Sequence, residues 1–111
     1  MIHADELILD FSKLEGLIPA VVQSTVDGQI LMVGFMNEAA WERTRTSGLV
    51  TFWSRSRDTL WTKGETSGDT LELKRVWVDC DEDTLLIQAK PNGPTCHTGS
   101  PSCFYREIEI D

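Results

Sequence analysis

Basic residues are scarce in this chain. Ten Lys and Arg stand against eighteen Asp and Glu, a formal charge of −8 over 111 residues. That balance excludes general nucleic-acid binding, which rests on a basic face. Long apolar runs are absent, and nothing approaches the roughly 20 residues that cross a bilayer. No membrane partner is therefore expected. The opening MIHADELILDF has an acidic head and lacks the pattern of a secretory signal, so the expected location is cytoplasmic. There is no internal repeat, low-complexity tract or Pro/Gly-rich linker; four Pro and eight Gly are dispersed as punctuation. The length suits a single domain over residues 1–111, without room for a second catalytic module.

Cysteine is also scarce, with only Cys80, Cys96 and Cys103. An odd count cannot pair fully within one chain, and cytosolic thiols stay reduced. The CxxC knuckles of structural zinc modules are missing. Two readings stay open: three buried, inert thiols, or a ligand set. Three thiolates on a tetrahedral zinc would leave one position for water, the arrangement of a catalytic site. Cys96 and Cys103 lie in a loop-like stretch, PNGPTCHTGSPSC, rather than in an apolar run, which favours the second reading.

The secondary-structure signals are mostly β. Ile18 to Val26 and Gln29 to Phe35 read as strands around the hairpin signal Asp27-Gly28. Asn37 is placed to cap a helix over Glu38 to Thr46, and Gly48 to end it. Val50 to Ser54 and Thr59 to Lys63 read as a hairpin around SRSRD. Thr70 to Val78 is expected to pair with Leu85 to Ala89 across Asp79 to Asp83, and Tyr105 to Ile110 alternates as an edge strand would. A short helix near the N-terminus is also expected. The fold class is mainly β, bordering on α+β: twisted antiparallel hairpins with one or two short helices.

Three further constellations carry chemistry. Asp79, Asp81 and Asp83 would share one face of a strand, with Cys80 pointing elsewhere. Close carboxylates repel unless protons or a cation compensate, and a hard ion such as Mg²⁺ takes such oxygens. The competing reading is a solvated acidic turn. Residues 43–63 hold Arg43, Arg45, Arg55, Arg57 and Lys63 against the single acid Asp58. Such a local reversal suits a small anionic substrate. Arg55 and Arg57 can fork onto phosphate, with Ser54 and Ser56 adding hydroxyls; Arg43 and Arg45 read as solvated helix residues. Trp53 and Trp61 offer a base-stacking face, though at least one suits the core. His97, beside Cys96, is open to three readings: fourth zinc ligand, general acid or base, or structural loop residue.

Taken together, FMNEAAW, FWSRSRDTLWTKGETSG, DCDEDTLL and CHTGSPSCFY resemble the phosphoribosyl-AMP cyclohydrolases of histidine biosynthesis, in order and from about Leu17 to Tyr105. The resemblance implies hydrolysis of the N1–C6 bond of the purine ring of phosphoribosyl-AMP, with Zn²⁺ and Mg²⁺ as cofactors. It implies an intertwined homodimer whose zinc ligands are shared, Cys80 from one subunit and Cys96 with Cys103 from the other. Asp79, Asp81 and Asp83 match the magnesium positions. His97 is the candidate for proton transfer. Arg55, Arg57 and Lys63 would hold phosphates, while Ser54, Ser56, Trp61, Glu65, Thr66 and Ser67 would orient ribose or base. Some members are fused to a phosphoribosyl-ATP pyrophosphohydrolase, an activity for which a separate protein is expected here. Asp69 departs from the Asn or His expected after the SG of GETSG.

Other classes fit less well. A zinc nucleotide deaminase needs H-x-E and P-C-x-x-C segments, and neither occurs. A closed structural zinc site of Cys80, Cys96, His97 and Cys103 explains neither SRSR nor the aspartates. A metal-free acidic β domain is the plainest alternative.

Overall fold

The computed structural model describes residues 1–110. Six strands and one α-helix follow a 3₁₀ turn at Ala4–Glu6. The strands are β1 (Ile18–Ser24), β2 (Ile30–Met36), β3 (Thr51–Ser54), β4 (Thr59–Thr62), β5 (Leu71–Val78) and β6 (Leu85–Pro91), with helix α1 (Glu38–Ser47) between β2 and β3. They form a four-stranded sheet of order β2-β1-β6-β5 and a separate β3-β4 hairpin.

Strict alternation identifies the inner face. On β1, Ile18, Ala20, Val22 and Ser24 are buried, and on β6 Leu85, Ile87 and Ala89 are. These residues form the core with Met36, Ala40, Trp41, Val50, Phe52 and Leu71. The small hairpin and the helix therefore cover one face of the main sheet. Phe52 lies so close to β2 that a Cβ on Gly34 would fall 2.5 Å from its ring. Only glycine gives the ring that approach.

The helix starts and stops where its chemistry requires. Asn37 Oδ1 accepts from the Ala40 N–H at 2.8 Å, and Gly48 takes a left-handed conformation while its N–H donates to Thr44 O at 3.0 Å. Both are standard solutions for orphaned end groups.

The three expected hairpins β1–β2, β3–β4 and β5–β6 are antiparallel; one pairing joins them beyond expectation, and two expectations are corrected. β1 and β6 run parallel, pairing Ala20 with Leu85 through Ser24 with Ala89, so the sheet is mixed. Local patterning defines a strand's faces but not its distant neighbour. The β1–β2 connection is wider than a two-residue turn. Thr25 N–H donates across to Ala89 O at 3.0 Å, Ser24 Oγ accepts from Val26 N–H, and Asp27 Oδ1 accepts from Gln29 N–H. These bonds draw residues 25–29 out of the ladder. Tyr105 to Ile110 forms no strand; Ile108 and Ile110 are exposed, without a sheet edge of this chain beside them. Near the N-terminus, the short helix expected there is the 3₁₀ turn, with His3 Nδ1 accepting from Asp5 N–H.

Candidate metal and substrate site

Residues 92–103 form a loop stapled at both ends. Asn92 N–H donates to Thr70 O at 2.9 Å, and its side-chain amide donates to Thr70 Oγ1 at 2.8 Å. At the far end Cys103 N–H donates to Leu31 O at 2.8 Å, and Ser102 Oγ donates to Ile30 O at 2.6 Å. Between them, Cys96 N–H donates to Ser100 O and Gly99 N–H to Cys96 O, closing a tight turn around His97 and Thr98. The loop folds back on itself and brings Cys96 and Cys103 together.

The two thiols are electrostatically unequal. Thr98 donates its hydroxyl to Cys96 Sγ at 3.1 Å and adds a backbone hydrogen bond, which lowers the Cys96 thiol below its ordinary value. Desolvation of its sulfur, followed by the negative charge of neighbouring Cys96, raises Cys103 although the residue as a whole is exposed. Lys63 favours the thiolate at both. Cys96 is buried and Cys103 exposed. Two neighbouring thiols, one of them the more readily ionised, with an ammonium nearby, have the donor chemistry zinc uses. The pair fits that ion but supplies only two of its ligands. Cys80 lies elsewhere, exposed in the turn after β5. Beside Cys96, the buried Thr95 Oγ1 has no hydrogen-bond partner. His97 is exposed in the turn.

The three aspartates do converge, but on a turn rather than a strand face. Residues 79–84 connect β5 to β6, with Glu82 in a left-handed conformation at φ 64°. Asp79 Oδ1 accepts from the N–H groups of Asp83 and Thr84, which curls the turn. One oxygen from each of Asp79, Asp81 and Asp83 lies within 4.8 Å of the others. Among the described residues, this is the one cluster of three or more His, Cys, Asp or Glu with metal-ligand spacing. A cation already sits against it: Lys13 Nζ lies 2.9 Å from Asp81 Oδ2 and 2.9 Å from Asp83 Oδ2. Lys13, then Asp83, hold Asp81 down at about 2. Lys13 also pulls on Asp83, but Asp81, partial burial and Asp79 outweigh it and leave Asp83 above its ordinary value. The carboxylate oxygens and the ammonium standing among them fit a hard cation.

The basic hairpin has a four-residue tip, Arg55 to Asp58, with Ser54 opposite Thr59. Asp58 takes φ 53°, and Ser54 Oγ accepts from Arg57 N–H. The Arg55 guanidinium lies 4.3 Å from the centre of the Phe35 ring, while Arg57 is exposed. Trp61 packs at 5.8 Å from Phe52, and Lys63 Nζ lies 5.8 Å from the Trp61 ring. Trp53 pairs with Leu60 and Trp61 with Phe52. The two tryptophans therefore sit on opposite faces of the hairpin and form no shared stacking surface. Arg45 is not simply solvated; it bonds Glu42 and Asp5, each at 3.0 Å. Glu65, Thr66 and Ser67 are exposed in the turn that follows β4. Asp69 closes that turn against the cysteine loop, its carboxylate so near Gly93 that a Cβ there would meet Oδ1 at 2.1 Å. A cavity of about 830 Å³ between the N-terminal turn, α1 and β5 holds none of the expected site residues.

Lys13, Thr98 and Phe35 act on the expected groups, yet none was expected at the site. Phe35 opens FMNEAAW and Thr98 stands two residues after Cys96 in CHTGSPSCFY, so both could have been suspected; Lys13 lies in no motif.

A family model for phosphoribosyl-AMP cyclohydrolase matches residues 32–105. The chain belongs to the phosphoribosyl-AMP cyclohydrolase family. It is 52% identical over 101 residues to the histidine biosynthesis bifunctional protein HisIE of Photobacterium profundum, covering 91% of this chain and 49% of that protein. Identity to the HisIE of Staphylococcus aureus strain COL is 56% over 100 residues, 90% of this chain and 47% of that protein. For the Shewanella oneidensis HisIE it is 57% over 96 residues, 86% and 46%. The chain thus spans about half the length of these curated relatives. The match to this cyclohydrolase family includes the hairpin, the acidic turn and the cysteine loop.

Proposed function

We propose that the chain hydrolyses the N1–C6 bond of the purine ring of phosphoribosyl-AMP, yielding the formimino-carboxamide ribotide intermediate of histidine biosynthesis. In this reaction C6 gains the oxygen of water, the N1–C6 bond breaks, and N1, which carries no proton in the substrate, takes up one of the protons of that water. The observation that carries the proposal is the Cys96–Cys103 pair polarised by Thr98, in a chain of this family. The pair is an incomplete ligand set, and Cys80 from a second copy would complete it in a homodimer. Zinc, when bound, lowers the pKa of water towards neutrality.

The chain's own residues bind and orient. Arg57 and Lys63, with Arg55 if it leaves Phe35, would hold the two phosphates. Ser54 and Ser56 add hydroxyl donors there. Trp61 would offer its ring to the base, and Glu65, Thr66 and Ser67 would orient the ribose. His97, exposed beside Cys96, would carry the proton to N1. Asp79, Asp81 and Asp83 would hold Mg²⁺. Such a reaction belongs in the cytoplasm, with no nucleic-acid or membrane partner.

The test is a spectrophotometric assay of ring opening, before and after chelation and with Zn²⁺ and Mg²⁺ restored. Turnover lost on chelation and regained with the metals supports the reading. Absence of turnover with both metals restored overturns it. In parallel, Cys→Ser at position 80, 96 or 103 should remove bound zinc. A full zinc complement in any one of these variants removes that residue from the ligand set.

A further inference from the structure

The segment before β1 matches no motif, yet it reaches the acidic turn by two separate contacts. Asp10 N–H donates to Glu82 O at 2.7 Å. Three residues on, Lys13 Nζ lies 2.9 Å from both Asp81 Oδ2 and Asp83 Oδ2. The segment is shaped to do this. Ser12 donates its N–H and its hydroxyl to Asp10 Oδ1, and Gly16 N–H returns to Phe11 O at 2.8 Å. Glu15 at φ 55° and Gly16 at φ 89° reverse the chain into β1. Leu9 and Phe11 pack against the core and anchor the other side. Lys13 is thus presented on a short loop held at both ends.

We propose that Lys13 is a built-in counter-cation for the acidic turn, and that a divalent ion must displace it to bind Asp79, Asp81 and Asp83. This rests on the magnesium reading of those aspartates. A hard cation needs carboxylate oxygens at about 2.0–2.6 Å. Lys13 already holds one oxygen of Asp81 and one of Asp83, two of the three carboxylates that converge here. An ammonium and a divalent ion on the same carboxylates would lie within a few ångströms and repel. The lysine is the tethered, weaker competitor, half-exposed and on a flexible stem. Its role is to neutralise carboxylates that would otherwise repel each other when no ion is bound. Ion binding would then release Lys13 and loosen the Asp10–Glu82 contact beside it.

The experiment titrates Mg²⁺ alone into the metal-stripped chain by calorimetry. Lys13→Met should tighten Mg²⁺ binding by roughly two- to thirtyfold, the range spanned by two exposed ion pairs. Lys13→Arg should stay near wild type. In the wild-type chain, saturating Mg²⁺ should speed hydrogen exchange at the Asp10 amide, a readout that needs no variant. Mg²⁺ affinity unchanged or weakened in Lys13→Met, or no change in Asp10 exchange, overturns the proposal. If wild type binds Mg²⁺ and Asp81→Asn abolishes binding, that failure leaves the cation site standing. If neither wild type nor Lys13→Met binds Mg²⁺, both the inference and the magnesium site are overturned.

Discussion

Thr44 of the helix and Thr51 of β3 exchange two hydrogen bonds in full burial. Thr51 N–H donates to Thr44 Oγ1 at 2.9 Å, and Thr44 Oγ1 donates to Thr51 O at 3.1 Å. Both residues are 0% exposed. The clasp joins the helix to the hairpin that carries SRSR. Thr44→Val keeps the shape and orphans a buried N–H, at a cost of roughly 1–3 kcal/mol. Urea unfolding at fixed protein concentration should show a lower midpoint with an unchanged slope. An unshifted midpoint would show that the clasp contributes nothing net.

Gly34 and Phe52 set the spacing between β2 and the hairpin. A methyl on Gly34 would overlap the Phe52 ring, whose nearest carbon is 2.5 Å away. Gly34→Ala should destabilise by roughly 1–3 kcal/mol through overpacking. Thermal unfolding would report this, and adding Phe52→Leu should return part of the loss. Non-additivity of the two changes is the signature of direct contact.

The Thr98 hydroxyl is the first cause of the lowered Cys96 thiol. Thr98→Val should therefore raise the Cys96 pKa towards its ordinary value in metal-free protein. Thiolate absorbance followed against pH, with Cys80→Ser in both proteins to leave only the paired thiols, would show the earlier of the two transitions moving to higher pH. The transition staying in place would assign the shift elsewhere.

Asp81 is held at about 2, below the ordinary aspartate value near 3.9. A depressed carboxylate contributes stability that is full above the unfolded pKa and is lost as pH falls through the folded one. Docking of the N-terminal segment on the acidic turn should thus hold above about pH 4 and fail towards about pH 2. Carboxyl chemical shifts followed against pH should place Asp81 below Asp83. In Lys13→Met both should rise, because Lys13 pulls on each. An unmoved Asp81 would remove Lys13 as the cause.

His97→Ala should keep its zinc and lose kcat by roughly 10²–10⁴-fold, the usual contribution of a positioned proton donor. Zinc analysis beside steady-state kinetics separates the two effects. A kcat near wild type would make His97 a spectator, and lost zinc would make it a ligand.

Much of this was readable along the chain because its causes are local. The helix ends at Asn37 and Gly48 follow from capping chemistry within a few residues. The β-branched and apolar run from Ile18 marked a strand, though its buried face was visible only in the structure, and the SRSRD turn separated two short strands. The thiols and aspartates were likewise legible as residue types whose chemistry suits metals. The parallel pairing of β1 with β6 was not legible, since strands some sixty residues apart in sequence carry no local sign of their pairing. Nor was the fate of Tyr105 to Ile110, which alternates as a strand does but finds no edge of this chain.

The sequence by itself determined the scarcity of basic charge, the three thiols and the acidic run, and with them the kind of chemistry available. Only the tertiary structure decided which of these groups meet. The loop closing on Leu31 put Cys103 beside Cys96 and left Cys80 apart. The turn bent the aspartates together, and a distant lysine came to lie on two of them. The physical reason is that ionic and hydrogen-bonding partners are chosen by distance in space. That distance is set by the packing of the core, not by separation along the chain.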